Sequence, residues 1–125
     1  MQFLKETDIS FAQLCTKVGE MIGDESPSKI QSLLVYLLEE TSYARYQWEQ
    51  CLKKNDWSLA SKILHREKLF INSLDIFKNQ EIVYAIQKSP EDFKRTELQI
   101  FYTEMLELFK NIEKLIIQNN TGLPL

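Results

Sequence analysis

The sequence predicts an all-α fold, an antiparallel four-helix bundle with an additional N-terminal helix and a short connecting helix. Apolar residues recur at alternating steps of three and four residues over most of the chain, and no segment alternates with a period of two over the length of a strand. Glycine and proline occur only three times each, and they lie where helices would begin or end. We therefore expect helices joined by short turns.

The N-terminal part of the chain is predicted to form two helices. Asp8 is positioned to cap a first helix that extends to about Glu20, where two glycines close it. Ser26 and Pro27 form an N-cap and a first-turn proline, and they begin a long second helix that extends to Lys54. The apolar seam of this helix follows a heptad-like pattern through Ile30, Leu34, Leu37, Thr41, Ala44, Trp48 and Cys51.

The C-terminal part is predicted to form two further helices and a short connecting one. Asp56 caps a third helix that begins at Trp57 and ends at Leu74 or at Phe77, and a short helix follows over residues 80–88. Ser89 and Pro90 repeat the cap-and-proline pattern and begin the last long helix. Its apolar stripe has the most regular spacing in the chain, with Leu98, Phe101, Met105, Leu108, Ile112 and Leu115.

Length and charge indicate one ordinary domain. The chain has 125 residues and a net charge of −3, and a domain of this size buries enough surface to fold without disulfides or structural metals. We expect a single domain over residues 1–125, with nothing after Asn119 ordered. Lysine and arginine are scattered along the chain, so neither nucleic acid nor a membrane is expected as a partner.

The residues that commonly bind metals are too few for a metal site. The chain has one histidine and two cysteines, which cannot supply the usual ligands of a zinc or copper site. Glu104 and Glu107 are interpreted as a solvent-exposed acidic face rather than part of a di-iron site. We therefore expect no metal or other cofactor on this chain.

The cysteines and the start of the sequence predict a cytoplasmic protein. Cys15 and Cys51 lack CxxC spacing and are interpreted as reduced thiols at apolar positions. Residues 1–6 lack the basic and then apolar pattern of a signal peptide. No run reaches the roughly 18 apolar residues of a membrane span.

The helical pattern places His65 on the outward face of the third helix. On a wheel of about 100° per residue, centred on the apolar stripe of the third helix, it lies about 140° from that stripe. Lys62 and Lys68 lie about one turn on either side, and their charges would stabilise a phosphoryl group on the ring. Neutral imidazole is also nucleophilic at about pH 7. An exposed histidine without a role is the alternative interpretation.

The neighbours of this histidine predict a surface for a partner protein. Leu69 is expected to face outward, and with Ile76 two turns further on it forms a small apolar patch of the kind that anchors a docking partner. Lys62 and Arg66 are expected at the rim, and Asn72 is expected beside them. Leu69 would act either as a docking anchor or as a cover over the histidine.

Three segments resemble the histidine-containing phosphotransfer domains of multistep two-component signalling. They are LLVYLLEET at 33–41, CLKKNDW at 51–57 and ASKILHREK at 60–68. The core motif of that family is a histidine followed three residues later by a lysine, and His65 and Lys68 match it. The resemblance extends over most of the chain, and it implies a helical bundle that presents this histidine to receiver domains.

The resemblance also implies a phosphocarrier rather than an autonomous enzyme. His65 would take a phosphoryl group from the aspartate of a response-regulator receiver domain or a hybrid histidine kinase and pass it to another receiver. The partner would supply Mg²⁺, an aspartate and a lysine, while this chain supplies the histidine and Lys68.

The sequence departs from the family pattern beside the motif. Leu69 and Phe70 follow the lysine where the family usually has glycine and a small residue, and Glu67 replaces a usual leucine. These departures support an alternative function, a helical module that binds a receiver or kinase without accepting phosphate.

Overall fold

The computed structural model describes residues 2–119, and the all-α prediction is confirmed for them. The elements are α1 (Phe11–Ile22), α2 (Pro27–Lys54), α3 (Trp57–Arg66), α4 (Lys68–Leu74), α5 (Gln80–Lys88), a 3-10 helix (Pro90–Asp92) and α6 (Arg95–Asn119). Within this range, an isolated bridge between Leu4 and Phe77 is the one β-type pairing. The prediction for the residues after Asn119 falls outside the described residues.

Helix starts follow local capping chemistry, which confirms some boundaries and corrects others. The Asp56 carboxylate accepts the Leu59 N–H at 3.1 Å, as the sequence predicts. Asp8 does not cap α1, because Ser10 and Gln13 form a reciprocal capping box two residues later. Pro90 begins the 3-10 turn rather than the last helix, so that α6 starts at Arg95.

The predicted third helix is interrupted at Glu67. This residue has φ −96° and ψ 17°, so α3 ends at Arg66 and α4 begins at Lys68. The Arg66 Nε donates to the Glu67 carboxylate at 3.1 Å, although successive side chains of a regular helix do not face each other. Glu67 is buried and needs a polar partner, a requirement that apolar periodicity does not reveal. The helical region ends at Leu74, the earlier of the two predicted ends, since Asp75 ends α4 in the left-handed conformation, with φ 51°.

Residues 3–5 form an extended segment that the sequence does not predict. The Lys5 N–H donates to the Ile76 carbonyl at 2.7 Å, and the Lys78 N–H donates to the Phe3 carbonyl at 2.9 Å. Ile76 beneath this segment is only 3% exposed. The prediction that Ile76 is a docking contact is therefore wrong, because its side chain is buried.

A carboxylate on α6 holds the same segment. Glu104 Oε1 accepts the Phe3 N–H at 2.9 Å, and Oε2 accepts the Leu4 N–H at 3.0 Å. Glu104 is 8% exposed, so its assignment to a solvent-exposed face is wrong. Glu107, one turn further on, is exposed as expected.

The core lies between α2 and α6, which pack antiparallel. Trp48 near the end of α2 contacts Phe101 near the start of α6, with ring centroids 6.0 Å apart. Arg45 bonds to Glu49 on its own helix and to Glu113 on α6. The predicted α2 seam is confirmed as buried except at its first position, which is partly buried. Helix α1 packs against α4, and α3 packs against α2.

Both cysteines are free thiols. Cys51 is fully buried, and burial raises the pKa of its thiol to about 12, so the thiol is protonated at neutral pH. No helix within residues 2–119 combines the length and the apolar character needed to cross a bilayer.

Candidate functional site

His65 is exposed, as the helical wheel predicts. It is the penultimate residue of α3 rather than the middle of a long helix, because the helix ends at Arg66. The buried face of α3 consists of Ala60, Ile63 and Leu64, which hold the helix against the core. The imidazole is thus presented from an anchored helix without taking part in core packing.

His65 lines an open cavity of about 380 Å³ bordered by α3, α4, α5 and Phe77. We call this cavity the α3–α5 groove. Its floor consists of the apolar residues Leu64, Ile71, Phe77 and Val83. Its rim consists of the polar residues Ser61, His65, Lys68, Asn72, Gln80, Tyr84 and Gln87. The groove therefore combines side chains of residues 61–77 with side chains of α5.

The rim of the groove is suited to an anion. Lys68 contributes an ammonium group, and among the described residues no aspartate or glutamate lines the groove. This contrasts with the chain as a whole, which carries a net charge of −3. A phosphoryl group on His65 would therefore lie beside a cation, with no carboxylate of the lining to repel it.

The structure divides the predicted site residues into two groups. His65, Lys68 and Asn72 line the groove together, whereas Lys62, Arg66 and Leu69 do not. Lys62 is exposed, and Leu69 is 82% exposed, which confirms that Leu69 faces outward. Because Leu69 is not part of the lining, nothing in the groove supports its role as a cover over His65.

Arg66 extends toward α2. Its guanidinium carbon lies 4.9 Å from the centroid of the Tyr43 ring, in a cation–π arrangement. Its Nε also donates to the Glu67 carboxylate, as described above. With these two contacts, Arg66 lies outside the groove. Lys68 is the cation that lines the groove together with His65.

Sequence reasoning missed the contribution of α5. Gln80, Tyr84 and Gln87 are spaced by four and three residues, so they form a polar stripe on one side of this helix. The stripe could have been found from its spacing. That it lines the same groove as His65 could not, since only the tertiary arrangement brings α5 to the groove that α3 and α4 border.

Glu67 is a buried carboxylate close to the site. Burial raises the pKa of its carboxyl above the usual value, and Glu40 nearby raises it further, while Arg66 acts in the opposite direction. The ionised form of Glu67 is therefore less favourable in the folded protein than in the unfolded chain. Folding stability should fall as pH rises from the unfolded-state pKa, about 4.3, through the folded-state pKa.

We expect Glu67→Gln to stabilise the protein at neutral pH by about 0.5–2 kcal/mol. Glutamine can still accept the Arg66 hydrogen bond, but it has no charge to bury. The difference from the wild type should be absent below about pH 4.3 and complete above the folded-state pKa. Urea unfolding at several pH values measures it. Glu39→Gln, which removes the same charge at an exposed position on α2, is the control. If the free energy of unfolding depended on pH equally in both variants, the prediction would be contradicted.

Comparisons with known proteins return no match: no family model, no curated protein and no solved structure matches the chain. Within residues 2–119, no three His, Cys, Asp or Glu side chains come close enough together to hold a metal ion. The functional assignment therefore depends on the residues of the site and their geometry.

Proposed function

We propose that this chain is a histidine phosphotransfer protein of a cytoplasmic two-component phosphorelay. The observation that carries the proposal is that the exposed His65 shares a groove with Lys68, three residues further on, and that no carboxylate within residues 2–119 lines this groove. The resemblance of three sequence segments to this family supports the same function. The finer architecture that we propose is an antiparallel four-helix bundle with an additional N-terminal helix and a short connecting helix.

The chemistry that we propose is reversible transfer between an aspartate and a histidine. The unprotonated ring nitrogen of His65 attacks the phosphorus of an aspartyl phosphate, and the P–N bond forms as the bond to the aspartate oxygen breaks. The aspartate leaves as a carboxylate, and the ring keeps its proton on the other nitrogen. A second receiver aspartate then reverses these steps. The receiver supplies Mg²⁺, and Lys68 offsets the charge of the phosphoryl group.

The partner would dock on the surface that surrounds His65. Leu69 is the apolar contact that we propose, with Lys62 and Arg66 at the edge of the docking surface and Asn72 on the rim of the groove. Ile76 is not part of this surface, because it is buried.

Incubation with a phosphorylated receiver domain and Mg²⁺ tests the proposal. Phosphohistidine is labile to acid and stable to base. The wild-type chain should therefore acquire a phosphate label that acid removes and base does not. The chain has one histidine, so the label should not exceed one phosphate per chain. If no receiver tested transfers a label, the proposed function is wrong.

Lys68→Ala should slow transfer severalfold or shorten the lifetime of phosphohistidine, because it removes the cation beside the ring. The protein should stay folded, since an exposed substitution usually changes stability by less than about 0.5 kcal/mol. Lys110→Ala, on the outer face of α6, is the matched control. Equal rates and lifetimes in the two variants would remove Lys68 from the site.

The alternative function is a module that binds a receiver or kinase without accepting phosphate. It is favoured by Leu69, which is 82% exposed beside the histidine. Leu69→Ala should weaken receiver binding about tenfold, the effect of losing one apolar anchor. Ile117→Ala on α6, also an exposed apolar residue, should leave binding unchanged. Binding without any label would favour this module, whereas unchanged binding in Leu69→Ala would exclude Leu69 as the anchor.

A further inference from the structure

The α3–α5 groove has a feature that phosphotransfer does not use. A phosphoryl acceptor needs an exposed ring nitrogen, but the groove also offers an open cavity of about 380 Å³ above an apolar floor. Leu64, Ile71, Phe77 and Val83 form this floor, and each is less than one tenth exposed. Small-molecule sites have volumes of about 300–1,000 Å³ and combine apolar walls with a few polar groups that orient the ligand.

The rim defines the chemistry of the ligand. Asn72, Gln80, Tyr84 and Gln87 can each donate a hydrogen bond to an oxygen atom, and Lys68 adds a positive charge. No carboxylate of the described residues lies in the lining to oppose an anion. An anionic group rich in oxygen would fit such a rim. An apolar body attached to that group would fit the floor.

We propose that the α3–α5 groove binds a small phosphomonoester whose apolar body lies on the floor and whose phosphate lies beside Lys68 and His65. The ligand would occupy the space that a phosphoryl group on His65 needs, so it would compete with phosphorylation of the histidine. Binding itself does not depend on the proposed phosphotransfer, because the floor and the rim are present in either case.

Phenyl phosphate is the probe, because it joins a phosphate to an apolar ring. Phenol and inorganic phosphate are the controls, since each lacks one half of the probe. Titration of the ¹⁵N-labelled chain should give saturable amide shifts at residues of α3, α4 and α5. The Kd for phenyl phosphate should be at least tenfold lower than that for either control compound.

Two pairs of variants test the assignment to the groove. Lys68→Ala and Tyr84→Ala should each raise the Kd several-fold, because Lys68 would contact the phosphate and Tyr84 lies at the rim. Lys110→Ala and Tyr46→Ala remove exposed side chains of the same types elsewhere and should leave the Kd unchanged. Equal affinity for phenyl phosphate and inorganic phosphate, shifts outside the groove, or equal effects in test and control variants would overturn the proposal.

The failure of this proposal can be distinguished from failure of the proposed function. The titration contains no receiver domain, so its result does not depend on phosphotransfer. If the wild-type chain also accepts phosphate, saturating phenyl phosphate should slow labelling of His65 at least fivefold, while phenol at the same concentration should not. Labelling at an unchanged rate with the groove saturated would contradict the competition.

Discussion

His65→Gln should abolish phosphoryl acceptance while leaving the fold intact. The chain has one histidine, so no other imidazole can replace the lost nucleophile. Glutamine keeps a polar side chain but has no nitrogen that attacks an aspartyl phosphate. Incubation with a phosphorylated receiver and Mg²⁺ should therefore give no acid-labile, base-stable label above background.

The stability of this variant separates loss of chemistry from loss of fold. Since His65 is exposed and takes no part in the core, the free energy of unfolding should change by less than about 0.5 kcal/mol. Receiver binding should persist, because Leu69, Lys62 and Arg66 are unchanged. A label of the same amount on wild type and variant would show that the phosphate is not on His65.

Glu104→Gln should lower the free energy of unfolding by about 1–3 kcal/mol, the cost of a buried donor without a partner. Each carboxylate oxygen of Glu104 accepts one backbone N–H, from Phe3 and from Leu4. The glutamine amide has only one oxygen, and its NH₂ group would face the second N–H donor. Urea unfolding measures the loss, and hydrogen exchange at the Phe3 and Leu4 amides should become faster.

Glu107→Gln is the matched control for this prediction. It makes the same chemical change on the same helix at an exposed position, so it should alter stability by less than about 0.5 kcal/mol. If the two variants were equally stable, the N-terminal segment would not depend on the Glu104 carboxylate.

The candidate site was predictable where it depends on one helix and unpredictable where it depends on two. Outward His65 on α3 and Leu69 on α4 follow from local helical periodicity, and both are exposed. The wheel also placed Ile76 outward, but α4 ends at Leu74, and Ile76 is buried where its carbonyl accepts the Lys5 N–H. Contacts between segments so far apart in sequence leave no periodic signal.

The polar residues show the same limit. Glu104 fits an exposed position by composition, yet it is buried because two unpaired N–H groups of the N-terminal segment need an acceptor. The break at Glu67 is similar, since it accompanies a buried carboxylate that bonds to Arg66. Apolar periodicity reports which side of a helix is buried, but not which polar group will find a partner there.

By itself, the sequence determined the helical class, the Asp56 cap, the buried seams of α2 and α6 and the exposure of His65, because each follows from neighbours within a few turns of one helix. Only the tertiary structure decided that Ile76 is buried, that Glu104 holds the N-terminal segment and that Tyr84 and Gln87 line the same groove as His65. These features depend on how separate segments pack, and the free energy of packing comes from contacts that local propensity does not encode.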